Sequence, residues 1–187
     1  MKVMLPSLAL ALLCLLRAGA EVPVQLDFKT EKFAGTWHLA AAASDCPVFL
    51  KMKDGMKSST ATVSFTPEGN LSMKLLWPML DNCQKFDLLF QQSGQAGHYT
   101  GRSAPEKRDL RVVETDYSSF AIVYQSHQNG PEPSISLQLF LRAWDPSPEL
   151  LQKFKQLFSS VGLTEDMMVI LPKSGECKEG TGSMHGP

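Results

Sequence analysis

Alternation of apolar and polar residues with a period of two dominates the middle of the chain. It is cleanest over residues 134–141, where Ile135, Leu137, Leu139 and Leu141 fall on one side and Ser134, Ser136 and Gln138 on the other. Successive strand side chains point to opposite faces, so this pattern predicts an antiparallel strand with its apolar side inward. Similar segments precede it. Trp37-His38-Leu39-Ala40 begins the first. Residues 58–65 and 71–77 flank Pro67-Glu68-Gly69-Asn70, a hairpin signature. Residues 84–90 and 98–102 are joined by the glycine-containing stretch 92–97, and a polar loop is expected through Pro105-Glu106-Lys107-Arg108. Residues 110–114 and 118–125 flank a tight turn, and residues 127–131 form the next. Eight short strands at this spacing predict an all-β fold, an eight-stranded antiparallel up-and-down β-barrel.

The period then changes. Leu150, Leu151, Phe154, Leu157 and Phe158 recur at helical spacing and make one apolar stripe. Ser147 can cap this helix, Pro148 suits its first position, Glu149 complements its dipole and Gly162 ends it. One C-terminal α-helix packed outside the barrel is the expectation. Val169-Ile170-Leu171 reads as a short last strand.

The start of the chain speaks to compartment. Met1 and Lys2 form a basic head, residues 5–16 are almost wholly apolar, and Ala18-Gly19-Ala20 supplies small residues for cleavage. This is the pattern of a signal peptide over residues 1–20, which takes Cys14 with it. The apolar run is too short for a spanning helix, which needs roughly 20 residues. No later stretch is long enough either, so no membrane span is expected. The remainder divides into one domain over 21–177 and a flexible tail over 178–187. Net charge is −1 for the full chain and −3 without Lys2 and Arg17. No basic block suggests nucleic acid, and no acidic cluster suggests calcium.

Cys46, Cys83 and Cys177 remain in an oxidising compartment, which allows three pairings. Cys83–Cys177 is favoured because it pins an irregular C-terminal segment to the domain. Closing so long a loop contributes about 4–5 kcal/mol in the chain-entropy account. Cys46 is then a half-buried small hydrophobe or, in a rival reading, the link of a dimer; a monomer is expected. Asn70-Leu71-Ser72 is a glycosylation sequon expected to be exposed at a hairpin tip.

Three motifs carry a family resemblance. Gly35 and Trp37, within Phe33-Ala34-Gly35-Thr36-Trp37, resemble the G-x-W signature of the lipocalins. Thr115-Asp116-Tyr117, between the sixth and seventh strands, resembles the second lipocalin block, and Arg142, ending the eighth strand, the third. The resemblance covers nearly the whole mature chain. It implies a lipocalin calyx with one small ligand inside. It also implies that Arg142 lies across Trp37 at the closed end while Asp116 and Tyr117 brace the adjoining turn. These are structural rather than binding residues. Residues 113–121 and 164–172 are similar to the branch containing prostaglandin D synthase, extracellular fatty-acid-binding proteins and reproductive-tract lipocalins.

That branch contains an enzyme, an isomerase using one thiol on its second strand. The resemblance puts Ser59 at the thiol position and Leu39, Ala61 and Leu75 at hydroxyl-bearing positions around it. A serine hydroxyl offers negligible anion at neutral pH, and no base neighbours it in the sequence. Catalysis is therefore not expected. Nor is a metal or cofactor: His38, His98, His127 and His185 lack metal-ligand spacing, and no nucleophile elbow or phosphate loop is present.

Binding rests on the inward faces. Leu39 and Ala41 share the side of Trp37. Ala61 and Val63, then Met73, Leu75 and Trp77, then Phe86, Leu88 and Phe90 extend the lining. Leu110, Val112, Phe120, Ile122, Tyr124, Leu137 and Leu139 complete it. The candidate ligand contacts are Leu39, Ala61, Val63, Met73, Leu75, Trp77, Phe90, Phe120, Ile122, Tyr124, Leu137 and Leu139. Those at the closed end are plain core, whereas Met73, Leu75, Trp77 and Tyr124 lie nearer the mouth. Tyr124 matches a pocket tyrosine of the family and offers a hydroxyl to a polar end. Such walls favour a fatty acid, retinoid, prostanoid or steroid. The resemblance makes residues 49–57 a lid, with lysines that solvate the loop rather than meet a carboxylate. A receptor bound through the loops is a rival reading. Amino-terminal sequencing of the protein secreted by cells expressing the whole chain should begin at Glu21; retention of residues 1–20 would overturn the signal-peptide reading.

Overall fold

The computed structural model describes residues 22–78, 82–103, 106–128, 133–175 and 177. The expected signal peptide, the expected tail over 178–187, Pro105, His185 and residues 129–131 of the expected turn lie outside the described residues. Eight strands follow one another: β1 (Gly35–Ser44), β2 (Thr60–Phe65), β3 (Leu71–Pro78), β4 (Cys83–Gln92), β5 (His98–Ser103), β6 (Glu106–Thr115), β7 (Phe120–Gln128) and β8 (Pro133–Leu141). Each pairs antiparallel with the next, and β1 pairs with both β8 and β2, so the sheet closes. A short helix α1 (Thr30–Phe33) precedes β1, α2 (Pro47–Met52) follows it, and α3 (Pro148–Ser160) packs outside. The strand β9 (Met168–Ile170) adds to β1 from outside the closed eight.

Two irregularities set which way side chains point. β1 shifts register between Leu39 and Ala41, and β6 between Val112 and Glu114. A bulge inserts one residue and reverses the phase of everything beyond it. Leu39 therefore faces the interior core, whereas Ala40, Ala41 and Ala43 pack into the cluster under α3. Ala41 does not share the face of Trp37, contrary to the unbroken alternation. The β1 bulge also carries its upper half away from β2. Gly35–His38 pairs with β2, while Ala41–Ala43 pairs with β9 on the same edge.

The helix α3 forms as its caps dictate. The Ser147 hydroxyl accepts from Leu150 N at 3.2 Å, Pro148 occupies the first turn, and Gly162 follows at φ 89°. Phe154 and Phe158 are buried against Ile122, Leu137, Leu139 and Leu141. Residues 106–108 are strand, not the expected loop: Lys107 and Arg108 pair with both β5 and β7, and Arg108 turns inward while Lys107 and Asp109 turn out. β7 likewise continues through His127.

Covalent and polar ties finish the domain. Cys83 and Cys177 are bonded with Cα atoms 5.7 Å apart, and Cys46 is free. The turn after β6 holds Tyr117 at φ 68°, a left-handed conformation unusual for a non-glycine residue. Asp116 supports it. Burial pushes the Asp116 carboxyl up, but hydrogen bonds from the Ser119 hydroxyl and the backbone of Phe120, Ser119 and Ser118 outweigh that and hold it below the usual range. Asn70 is half-buried rather than exposed, because its Oδ1 accepts from Gln92 N at 3.1 Å.

The closed end depends on Arg142. Its guanidinium lies 3.7 Å from the centre of the Trp37 ring. Nε donates to Tyr117 O at 3.0 Å, Nη1 to Thr36 O at 3.0 Å, and Nη2 to Lys32 O at 2.9 Å and Ala34 O at 3.0 Å. Trp37 is 1% exposed, and its Nε1 donates to Phe33 O at 2.8 Å. At Gly35, φ is 113° and a Cβ would sit 2.9 Å from Arg142 Nη1, so the first motif residue must be glycine. Lysine has neither the planar fork nor the stacking face. Arg142→Lys should destabilise the fold by about 2–4 kcal/mol in urea unfolding, since several charged hydrogen bonds are lost together; unchanged stability would refute this account of the floor.

Candidate ligand-binding site

Above the Trp37–Arg142 floor the interior is solid before it is hollow. Phe33, Trp37, Ala61, Val63, Met73, Val123 and Phe140 enclose a void of only about 10 Å³, at the limit for one water molecule. Ala61, Val63 and Met73 are therefore floor core in this structure. Phe90, 1% exposed, packs in the same interior cluster.

Nearer the mouth the barrel opens into two cavities that share Trp77 and Arg108. One, of about 350 Å³, is walled by Leu75, Phe86 and Leu88 of β3 and β4, with Gln84 at its edge and Met52 of α2 above. The other, of about 240 Å³, lies against β1, β7 and β8. Leu39 and Ala42 lie on its wall, and Phe49 and Met56 reach it from the lid segment. Of the candidate contacts, Leu39, Leu75 and Trp77 line these cavities.

The wall formed by β7 and β8 is largely polar, with Ile135 its one apolar lining residue. Gln125, His127, Ser134, Ser136 and Gln138 all line the second cavity. Cross-strand register explains the cluster: Gln125 sits opposite Ser136 and His127 opposite Ser134, while Gln138 faces Ala42 of β1. Gln125 Nε2 donates to Gln138 Oε1 at 2.9 Å. The Ser44 hydroxyl, at the end of β1, donates to Ile135 O at 2.8 Å and accepts from Cys46 N at 3.1 Å, so it ties β8 to the start of α2.

Five candidate contacts face the other way. Phe120, Ile122, Tyr124, Leu137 and Leu139 belong to the cluster between the barrel and α3. The alternation in β8 is real, but its apolar side is the outer one. A period of two separates two faces without saying which is inside, and the apolar stripe of α3 needs an apolar bed. Tyr124 is on that outer side, opposite Arg111; burial and then the Asp109 charge push its hydroxyl pKa up. Arg108, Gln125, His127, Ser134, Ser136 and Gln138 are among the cavity residues missed from sequence. For those on β7 and β8 the available signal was the apolar bed that α3 requires, which inverts both strands.

The lid is ordered by its own turns. Cys46 precedes α2 and lines the second cavity as a half-buried thiol. Lys51, Lys53 and Lys57 line neither cavity, and Lys53 pairs with Asp54 at 3.2 Å. Ser59, at the position the resemblance gives to a catalytic thiol, is 2% exposed and also lines neither. Among the described residues no helix is long and apolar enough to cross a membrane, and no group of three His, Cys, Asp or Glu residues could hold a metal.

The model of the lipocalin / cytosolic fatty-acid binding protein family matches residues 34–175. The chain is 41% identical over 160 residues to Lipocalin-15 of Homo sapiens, covering 86% of each protein. Over 178 residues it is 32% identical to the extracellular fatty acid-binding protein of Coturnix japonica, covering 95% of this chain and 97% of that one. A solved structure of the siderocalin Ex-FABP, described as functioning through dual ligand specificities, aligns with a TM-score of 0.71 at 27% identity. That alignment covers 78% of this chain and 97% of the other.

Inner and outer residues should separate in experiment. Leu139→Ala should lower stability by about 2–4 kcal/mol, as buried leucine truncations do, yet leave the affinity for a dansylated fatty acid within twofold. Leu75→Asp should weaken that affinity at least tenfold. An affinity loss in the Leu139 variant matching the Leu75 one would overturn the facing described here.

Proposed function

Because the chain belongs to the lipocalin family, whose model spans residues 34–175, we propose that it is a secreted carrier holding a small hydrophobic molecule unchanged inside its barrel. The observation that carries this reading is the apolar cavity of Leu75, Trp77, Phe86 and Leu88 above a packed floor. Concave apolar walls with a few placed polar groups are the general form of a small-molecule site. A fatty acid, retinoid, prostanoid or steroid has suitable chemistry, and Arg108, shared by both cavities, suits an acidic end. Secretion is supported by the leader-like residues 1–20 and by relatives whose names include an extracellular fatty acid-binding protein.

An isomerase reading is disfavoured on chemistry. Ser59 is a buried hydroxyl away from both cavities, and Leu39 and Leu75 stand where the enzyme resemblance asks for hydroxyls. Cys46 reaches the second cavity from the lid, but the enzyme's thiol belongs to the second strand. The same inward-lying position suits a monomer better than a Cys46-linked dimer.

Titration with fatty acids and retinoids should quench tryptophan fluorescence saturably at one ligand per chain, with Trp77 on the cavity wall as the reporter. Prostaglandin endoperoxide with added thiol should be turned over no faster than in buffer. No saturable response to any apolar ligand would overturn the carrier reading, and enzymatic turnover would overturn its passive character.

A further inference from the structure

We infer that the cavity selects an amphiphile oxygenated along one edge of its chain over a plain acyl chain of equal length. The inference rests on the carrier reading above and names its ligand class.

The two walls differ in kind. Leu75, Phe86 and Leu88 offer no hydrogen bond, whereas Ser136, Gln125 and Gln138 on the opposite side are all donors or acceptors. This division follows from the outer face. β8 gives Leu137, Leu139 and Leu141 to α3, so its alternate residues Ser134, Ser136 and Gln138 turn into the barrel. With one residue between successive inward positions, Ser134 to Gln138 spans about 13 Å of wall. That is a row of polar positions, and a single headgroup can satisfy only part of it.

A plain acyl chain laid across both cavities would press methylenes against amides and hydroxyls, which then lose water without gaining a partner. Hydroxyl or keto groups spaced along one edge would meet them instead. The Gln125–Gln138 hydrogen bond uses one N–H of Gln125 and one lone pair of Gln138. Each amide therefore retains both donor and acceptor capacity. The other edge of such a ligand stays apolar against β3 and β4, and an acidic end suits Arg108 at the boundary.

Stearate and threo-9,10-dihydroxystearate share length and carboxylate and differ only in two mid-chain hydroxyls. In competition against a dansylated fatty acid, the dihydroxy acid should bind at least tenfold more tightly. The double variant Gln125→Leu/Gln138→Leu should bring the two acids within twofold of each other. Ser136→Ala, a milder change, should reduce the preference severalfold even where the double variant folds poorly. Equal or tighter binding of stearate, or a preference that survives both sets of substitutions, overturns the inference and leaves the carrier reading standing. Failure of both acids and of the dansylated probe to bind overturns both.

Discussion

A guanidinium stacked on an indole at one end of a barrel has an unusual number of dependants. Arg142 comes from the end of β8, Trp37 from β1, and the carbonyls that Arg142 caps from α1, β1 and the turn after β6. The last carbonyls of a helix have no partners within it, and here those of α1 find theirs on one arginine. The contact therefore fixes the chain's entry into the barrel, its last strand and one turn together. The left-handed Tyr117 belongs to the same unit, since its carbonyl accepts from Arg142 Nε and its hydroxyl accepts from Lys29 N at 3.0 Å. Because this end is solid, an occupant can lie only above it.

The inside and the outside of β7 and β8 are two consequences of one pattern. Covering the outer leucines with α3 removes apolar surface from water, the dominant favourable contribution to folding. The same alternation then turns serines and glutamines toward the cavity. The helix is thus coupled to the chemistry of the cavity wall without lining it. β3 and β4 carry no helix, and there Leu75, Trp77, Phe86 and Leu88 line the cavity while Leu89 is left exposed on the outer side.

The parts of the fold that were legible in the sequence are those where a residue type admits one explanation. Gly35, Trp37 and Arg142 announced the floor, Ser147 and Pro148 the start of α3, and three cysteines a bridge whose favoured pairing, Cys83–Cys177, is present. The cavity wall was legible on β3, through Leu75 and Trp77, and reversed on β7 and β8. Periodicity is blind to which face is inner, and the bulges near Ala40 and Val113 shift its phase without leaving a mark such as glycine or proline. Arg108 was hidden differently. A run of charged residues after a proline resembles a loop, and only the closed sheet shows that one of them points inward.

The three residues of β9 occupy the edge of β1 that its bulge leaves bare beside Ala41–Ala43. Leu171 N continues the tie to Ala40 O at 2.8 Å, and the Ser174 hydroxyl reaches Ser58 O at 2.8 Å. An uncovered edge of small apolar residues is a template on which another chain can add a strand. The C-terminal segment thus covers that edge as well as sealing the seam. A chain clipped after α3 would expose that strand edge and, with it, lose the Cys83–Cys177 bridge and the buried Leu171 that packs in the interior cluster with Trp37.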